Sequence, residues 1–167
     1  MKIWEFTFGK RLPSVRVAGV LLSAVLALLG RPAPAADDEA ARILADSGFN
    51  GGLVVQVGMR DAALALAFGK LPNALVQGLV ADAGALNGLR ERIREAELYG
   101  RVSAVAWKGP HLPYGDRMVN LLLVLDEAVE LDPKEIDRVL APLGVVMVRR
   151  AGTLVPRRKA WPDEFDE

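Results

Sequence analysis

The sequence predicts an α/β domain with a mostly parallel β-sheet, and three observations support this. Apolar runs recur at 53–57, 74–80 and 118–125, with the near-continuous hydrophobicity of strands covered on both faces. Segments with helical spacing separate most of these runs. The stretch 53–69 combines an apolar strand, a tight turn at Gly58 and a helix rich in Ala and Leu. Such strand–turn–helix units begin many domains that hold a ligand at the carboxyl end of the strand.

The other elements are predicted in chain order. Acidic residues from Asp37 onward suit the first turn of a short helix that ends at Gly48. The last helix begins at Asp132, an N-cap residue followed by Pro at N1 and Glu at N3. The connection 108–116 contains many turn residues, and no element is assigned to it. The predicted order is helix 37–48, strand 53–57, helix 61–69, strand 74–80, helix 85–98, strand 102–107, strand 118–125, helix 132–140 and strand 145–148.

The first 35 residues are predicted to be a secretory signal peptide. Four basic residues precede a 14-residue apolar run at 17–30, and the small residues Ala33 and Ala35 follow it. The alternative is an uncleaved membrane anchor, for which this run is short. We therefore expect export to the periplasm or the extracellular space, with membrane contact only through the signal peptide.

The remaining chain is expected to form one domain, 36–150, followed by a tail or linker, 151–167. Five of the 21 basic residues and one of the 21 acidic residues lie in 1–35, so the rest has 16 basic and 20 acidic residues. This negative balance disfavours nucleic acid as a partner. The basic run 157–159 is interpreted as part of the solvated tail.

Several kinds of chemistry are excluded by residue type. The chain has no cysteine and one histidine, His111, so it has no disulfide, thiol nucleophile, thiolate metal site or multi-histidine metal site. No metal and no catalytic side chain are predicted. His111 is interpreted as a surface or packing residue, with a general-base role beside a ligand as the alternative.

Four segments carry a family resemblance. The segment 54–58 (VVQVG) resembles a strand leading into a glycine-rich turn, and 78–82 (GLVAD) resembles the end of a second strand. The segment 107–114 contains an LPY loop after a third strand, and 137–144 (DRVLAPLG) resembles an RVLxPGG helix-to-strand segment. Together they make residues 43–150 similar to the core of class I S-adenosylmethionine-dependent methyltransferases.

The resemblance implies a fold and a cofactor. The fold is a three-layer α/β/α Rossmann-like methyltransferase fold of about five strands in the order 3-2-1-4-5, without the C-terminal strands of the full fold. The cofactor is S-adenosylmethionine, with Gly58, Asp61, Asp82 and Trp107 at the matching positions. Such enzymes mainly position a methyl donor and an acceptor, so no catalytic base is implied.

The resemblance is strongest to a secreted variety found ahead of quinoprotein-like β-propellers. Residues 161–167 (WPDEFDE) resemble the linker of those proteins. This implies a protein partner or, in relatives, a fused propeller. The resemblance then implies that the chain is a split or truncated version of such a protein.

Departures from the family pattern predict a degenerate cofactor site. Arg60 and Ala62 stand where the second and third glycines of the turn are expected, and Val80 stands where a carboxylate holds the ribose hydroxyls. Asn120 is matched to an Asp of the fourth strand. The expected function is that of a weak or inactive methyltransferase-like domain. The alternative is a non-catalytic interaction or scaffold module of an exported assembly.

The roles of several residues remain open on the sequence alone. Asp61 is expected to cap the helix that follows it, rather than to contact a ligand. Trp107 suits either an adenine-stacking role or a core position. Asp126 and Glu127 follow the fourth strand, where they either face the ligand crevice or solvate and cap the loop.

Overall fold

The computed structural model describes residues 36–160, so the predicted signal peptide and residues 161–167 lie outside the described residues. No helix within 36–160 is long and apolar enough to cross a membrane. The helices are α1 (Ala36–Ser47), α2 (Ala63–Gly69), α3 (Leu86–Glu95) and α4 (Pro133–Val139). The strands are β1 (Gly52–Val57), β2 (Ala74–Val80), β3 (Val102–Ala106), β4 (Val119–Val124), β5 (Leu140–Arg150) and β6 (Thr153–Arg158).

The six strands form one sheet in the order β3-β2-β1-β4-β5-β6. The first five are parallel to their neighbours, and β6 runs antiparallel to β5. This arrangement confirms the predicted α/β class and the strand order 3-2-1-4-5. The order reverses between β1 and β4, so a crevice is expected at their carboxyl ends.

The sixth strand corrects the predicted boundary at residue 150. Residues 153–158, predicted as tail, pair with β5 in a register that matches Arg150 with Thr153. Ala151 and Gly152 form the connection, both with positive φ, as tight two-residue hairpins require. The strand was not predicted because Pro156 lacks a backbone N–H, which argues against a strand inside a sheet. A proline is tolerated mainly on an edge strand, which is where β6 lies.

The basic run 157–159 is part of this strand and its end, rather than a solvated tail. Arg157 pairs with Asp137 of α4 at 2.9 Å. Arg158 donates through Nη2 to the Ser47 carbonyl of α1 at 2.6 Å, and the Lys159 ammonium donates to the Leu140 carbonyl at 2.8 Å. The run therefore ties β6 to the layers on both sides of the sheet.

The start of β5 also differs from the prediction. The strand begins at Leu140, directly after α4, instead of at Val145. Leu143 has a φ of +61°, and a Cβ on Gly144 would lie 2.9 Å from the Val119 carbonyl oxygen. The register between β4 and β5 shifts at this point, so the turn-rich residues form a bulge inside the strand.

The two faces of the sheet are covered unequally. On one face, α1, α2 and α3 contribute Ile43, Phe68 and Ile93 to a large apolar core. On the other face, α4 contributes Ile136, and the connection 107–118 contributes Leu112. This connection contains no helix, so a loop and one short helix cover the second face.

Hydrogen bonds hold that loop in place. The buried Glu135 carboxylate accepts the Leu112 N–H at 2.7 Å and pairs with Arg138 of the same helix at 2.7 Å. Arg138 also donates to the Tyr114 carbonyl at 2.8 Å. The Tyr114 hydroxyl donates to Gln77 of β2 at 2.7 Å. The hydrogen bonds from Arg138 are the largest of the effects that lower the pKa of Glu135 to about 2.

Candidate functional site

We use "β1–β4 crevice" for the region formed by Gly58, Met59, Arg60 and Asp126 at the carboxyl ends of β1 and β4. Gly58 has a φ of +73°, a conformation that glycine adopts without strain. A Cβ on Gly58 would lie 2.9 Å from the Asp126 Cβ. The turn after β1 and the loop after β4 are therefore already in close contact, which leaves little space between them.

Met59 fills the space beside β2. Its side chain is 2% exposed, and its backbone N–H donates to the Leu79 carbonyl at 2.9 Å. A Cβ on Gly78 would overlap the Met59 sulfur, so the side chain lies directly against the β2 backbone. A glycine inside a strand commonly marks such a close approach. The β1 turn is thus fixed to β2 by packing as well as by a hydrogen bond.

Arg60 spans the crevice at the surface. Its Nη2 lies 2.7 Å from Asp126 Oδ2, and the two side chains are 77% and 18% exposed. Asp126 Oδ1 accepts the Ala128 N–H at 3.1 Å. The backbone hydrogen bond from Ala128, together with the bond from Arg60, lowers the pKa of Asp126. The carboxylate is consequently charged and engaged on both oxygens.

The residues predicted to bind a cofactor lie at the carboxyl ends of their strands, each in a local contact. Asp61 accepts the Ala63 N–H at 2.9 Å in a turn just before α2, whose N-cap residue is Ala62 and has no side-chain cap. Asp82 accepts the Gly84 N–H at 2.8 Å in the turn before α3. The Trp107 indole N–H donates to the His111 carbonyl at 2.8 Å. Their role toward a ligand stays a prediction.

Two other positions matched to the family pattern behave differently. Val80 is 1% exposed and belongs to the core under the three helices. Asn120 lies near the amino end of β4, where its side-chain oxygen accepts the Leu53 N–H at 2.9 Å. It is therefore at the opposite end of the sheet from the crevice. Asp126, not Asn120, is the polar residue that follows the carboxyl end of β4.

His111 and Glu127 do not build a catalytic arrangement. The His111 side chain is 85% exposed, and its Nδ1 is 3.8 Å from Glu135 Oε2, beyond hydrogen-bond distance. Glu127 accepts the Gly152 N–H at 3.0 Å and so joins the β4 loop to the β5–β6 turn. Among residues 36–160, no group of three metal-ligating side chains comes together.

A larger open space lies beside the crevice, on its β5–β6 side, and shares Asp126 with it. We call it the β4–β6 groove: about 750 Å³, open to solvent, between the segment 126–131, the start of α4 and the strands β5 and β6. Its aliphatic lining residues are Val124, Val129, Leu131, Ile136, Val146, Val148 and Val155. The groove could not be predicted from the sequence because it depends on β6, which was predicted as tail.

Comparison with known proteins supports the fold. No family model and no curated protein sequence matches the chain. Among solved structures, a protein of Methanococcus maripaludis assigned as an S-adenosyl-L-methionine-dependent methyltransferase superposes with a TM-score of 0.62 and 19% identity, over 86% of this chain and 67% of that one. The geranyl diphosphate C-methyltransferase of Streptomyces coelicolor gives 0.59 and 16%, over 66% and 44%.

A third structural neighbour has the same fold but is named for a different reaction. The [4+2]-cyclase SpnF superposes with a TM-score of 0.59 and 23% identity, over 70% of this chain and 47% of SpnF. The chain thus spans less than half of SpnF and of the geranyl diphosphate enzyme. At these identities the comparisons establish the Rossmann-like fold of class I methyltransferases, and a fold shared with a cyclase does not specify the reaction.

Proposed function

We propose that this chain is an exported methyltransferase-like domain whose donor site is degenerate, with weak or no binding of S-adenosylmethionine and no methyl transfer. The observation that carries the proposal is the contact between Arg60 and Asp126 across the β1–β4 crevice. On this fold the donor is expected at that end of the sheet. Here the chain's own side chains occupy it.

Packing beneath the ion pair supports the same proposal. Donor binding at this turn relies on bare backbone that a ligand can approach closely. Met59 covers the β2 backbone at Gly78, and Gly58 lies against the Asp126 side chain. A bound donor would have to displace these contacts as well as Arg60.

The ribose contact is the second element that does not fit the donor. A carboxylate at the end of β2 would supply two charge-assisted hydrogen bonds, together worth roughly 2–5 kcal/mol of binding free energy. Val80 occupies the matching position and points into the core. Asp82 follows two residues later, where its carboxylate is engaged by the Gly84 N–H. The residues present therefore fit S-adenosylmethionine poorly.

Calorimetric titration of the purified protein with S-adenosylmethionine and S-adenosylhomocysteine tests the proposal. We expect a dissociation constant above about 1 mM for both ligands. Circular dichroism of the same sample must show a cooperative thermal transition. A dissociation constant in the micromolar range would overturn the proposal.

Variants show whether the named residues are the cause. Arg60→Gly combined with Val80→Asp is expected to bring the affinity for the donor into the micromolar range. Val80→Asp buries a carboxylate, so Arg60→Gly with Ala62→Gly serves as a second variant, which removes only one buried methyl group from the core, with an expected gain of about tenfold. Arg60→Lys keeps the charge and is the matched control, with no expected gain.

Export is the second part of the proposal. It is supported by the basic residues, apolar run and small residues of the first 35 positions. When the chain is expressed from Met1 in a bacterial host, we expect the exported protein to begin at Ala36, as measured by intact-mass spectrometry. Full-length protein retained in the membrane fraction would instead establish the uncleaved anchor.

The proposed setting is an assembly with another protein, in relatives a fused β-propeller, without nucleic acid. The linker-like residues 161–167 and the acidic balance of the chain after residue 35 support it. Reading the genomic DNA downstream of the codon for Glu167 tests the propeller setting. A propeller-coding frame is expected there, and an unrelated sequence would contradict it.

A further inference from the structure

We propose that the β4–β6 groove is the interface of a two-fold symmetric dimer of this chain. The inference goes beyond the donor site and does not depend on it. It rests on three features of the groove: its apolar floor, the opposite charges of its two walls, and the exposed strand β6 at its rim.

The floor of the groove is aliphatic and only partly covered. Val148, Val129 and Leu131 are partly buried, and Val155 is 51% exposed. A contiguous apolar surface rimmed by polar residues is typical of a protein–protein contact.

The two walls of the groove carry opposite charges. The wall formed by the segment after β4 contributes Asp126, Glu127 and Glu130, and the wall formed by β5 and β6 contributes Arg149, Arg150 and Arg157. Neither Arg150 nor Glu130 has an ion-pair partner within residues 36–160. Both are exposed and are therefore available to another molecule.

Opposite walls make the groove complementary to itself. In a two-fold interface the same surface is used twice, so each contact from residue i to residue j is repeated from j to i. The Arg150 wall of one copy then faces the Glu130 wall of the other, and both pairs form at once. A partner with one sign of charge would match only one wall.

The edge of β6 gives the second copy access to the groove. β6 pairs only with β5, and its other edge is free within the described part of the chain. Pro156 lacks a backbone N–H, so continuous pairing between two β6 strands is disfavoured. The contact therefore uses side chains, with Val155 of each copy near the two-fold axis.

Sedimentation equilibrium of the purified protein, from about 1 to 100 µM, tests the proposal. The wild-type protein is expected to give twice the monomer mass at the upper concentrations. Arg150→Glu and Glu130→Arg each place like charges together and should raise the dissociation constant at least tenfold. The double variant Arg150→Glu with Glu130→Arg should restore the dimer.

The control is Arg92→Glu, a charge reversal on the exposed side of α3, which packs on the other face of the sheet. It should leave the dimer unchanged. A wild-type protein that is monomeric at 100 µM overturns the proposal, as does a dimer that none of the groove variants weakens. Binding of a different protein to the groove of the monomer would also overturn the proposal.

Cross-linking provides an independent readout because the chain has no cysteine. Val155→Cys should form a disulfide-linked dimer on mild oxidation. Met118→Cys is the matched control, since Met118 is 53% exposed but does not line the groove. Equal cross-linking of the two variants would contradict the proposed interface.

Discussion

The β1–β4 crevice and the β4–β6 groove lie on the same sheet, but one is closed and the other is open. In the crevice, Met59 packs on Gly78 and Arg60 pairs with Asp126 at 2.7 Å. In the groove, about 750 Å³ remains between aliphatic side chains. The open groove adjoins the crevice on its β5–β6 side, and Asp126 belongs to both.

The difference follows from how the sheet is covered. Three helices pack on one face, and the turn after β1 runs into that layer with Met59 buried beneath it. Within residues 36–160, the other face has only the seven-residue α4 and the loop 107–118. The chain passes from β5 to β6 through a two-residue turn, so no helix is available to cover the end of that face.

The largest effect on the free energy of unfolding is expected from a substitution at Gly78, which tests how tightly the crevice is packed. Gly78→Ala places a Cβ onto the Met59 sulfur and should lower the free energy of unfolding by about 1–3 kcal/mol, the usual cost of overpacking. Urea denaturation followed by circular dichroism measures it. Met59→Ala should lower the free energy of unfolding less in the Gly78→Ala protein than in the wild-type protein, because the two residues are in contact.

Gly88→Ala in α3 is the control for this prediction. A Cβ at Gly88 would meet nothing within 4 Å, so alanine should stabilise the helix by about 0.5–1 kcal/mol. If Gly78→Ala, like Gly88→Ala, did not lower the free energy of unfolding, the packing of Met59 on Gly78 would be less tight than the contacts indicate.

A second, smaller effect is expected where the loop covers the open face. Glu135→Gln removes the charge that holds Arg138 and the Leu112 N–H, and should cost about 1–2 kcal/mol at pH 7. The pKa of Glu135 is lowered to about 2, from 4.5 in the unfolded chain. Its stabilisation is therefore complete above pH 4.5 and disappears as the pH falls toward 2.

Denaturation at several pH values measures whether the stability falls with decreasing pH in this way. The wild-type protein should lose stability more steeply than Glu135→Gln between pH 5 and about 2, and the two should converge at the acidic end. Parallel curves would show that Glu135 does not stabilise the loop through its charge. His111 is a useful comparison, since its removal should have little effect on the acid-dependent slope.

The sequence predicted the elements whose signals are local. Hydrophobic runs identified β1, β2 and β4, and the Asp-Pro-Lys-Glu start identified α4, where Asp132 accepts the Lys134 N–H at 2.9 Å. The strand order followed from alternation and from the family resemblance. Asp61 was predicted to cap α2, but it lies one residue before the N-cap Ala62 and accepts the Ala63 N–H in the preceding turn.

Features that depend on distant partners were missed. The strand β6 is stabilised by β5 and by contacts of 157–159 with both layers, none of which is visible in a segment that contains Pro156. Arg60 was identified as unusual, but its partner Asp126 is 66 residues away. Asn120 was matched to an Asp of the family's fourth strand, but it lies at the amino end of β4, away from the crevice.

The smallest effect is expected at the most visible contact of the crevice. Arg60 is 77% exposed, so its pair with Asp126 is screened by solvent and Arg60→Ala should change the free energy of unfolding by less than about 0.5 kcal/mol. Urea denaturation of this variant and of Arg92→Ala, an exposed arginine of α3, should give equal values. A loss above about 1 kcal/mol at Arg60 alone would show that the ion pair is part of the structural core of the crevice. Equal losses in the two variants would mean that the ion pair of Arg60 does not stabilise the fold. Arg60 then restricts access to the crevice, whereas the packing of Met59 on Gly78 keeps it closed.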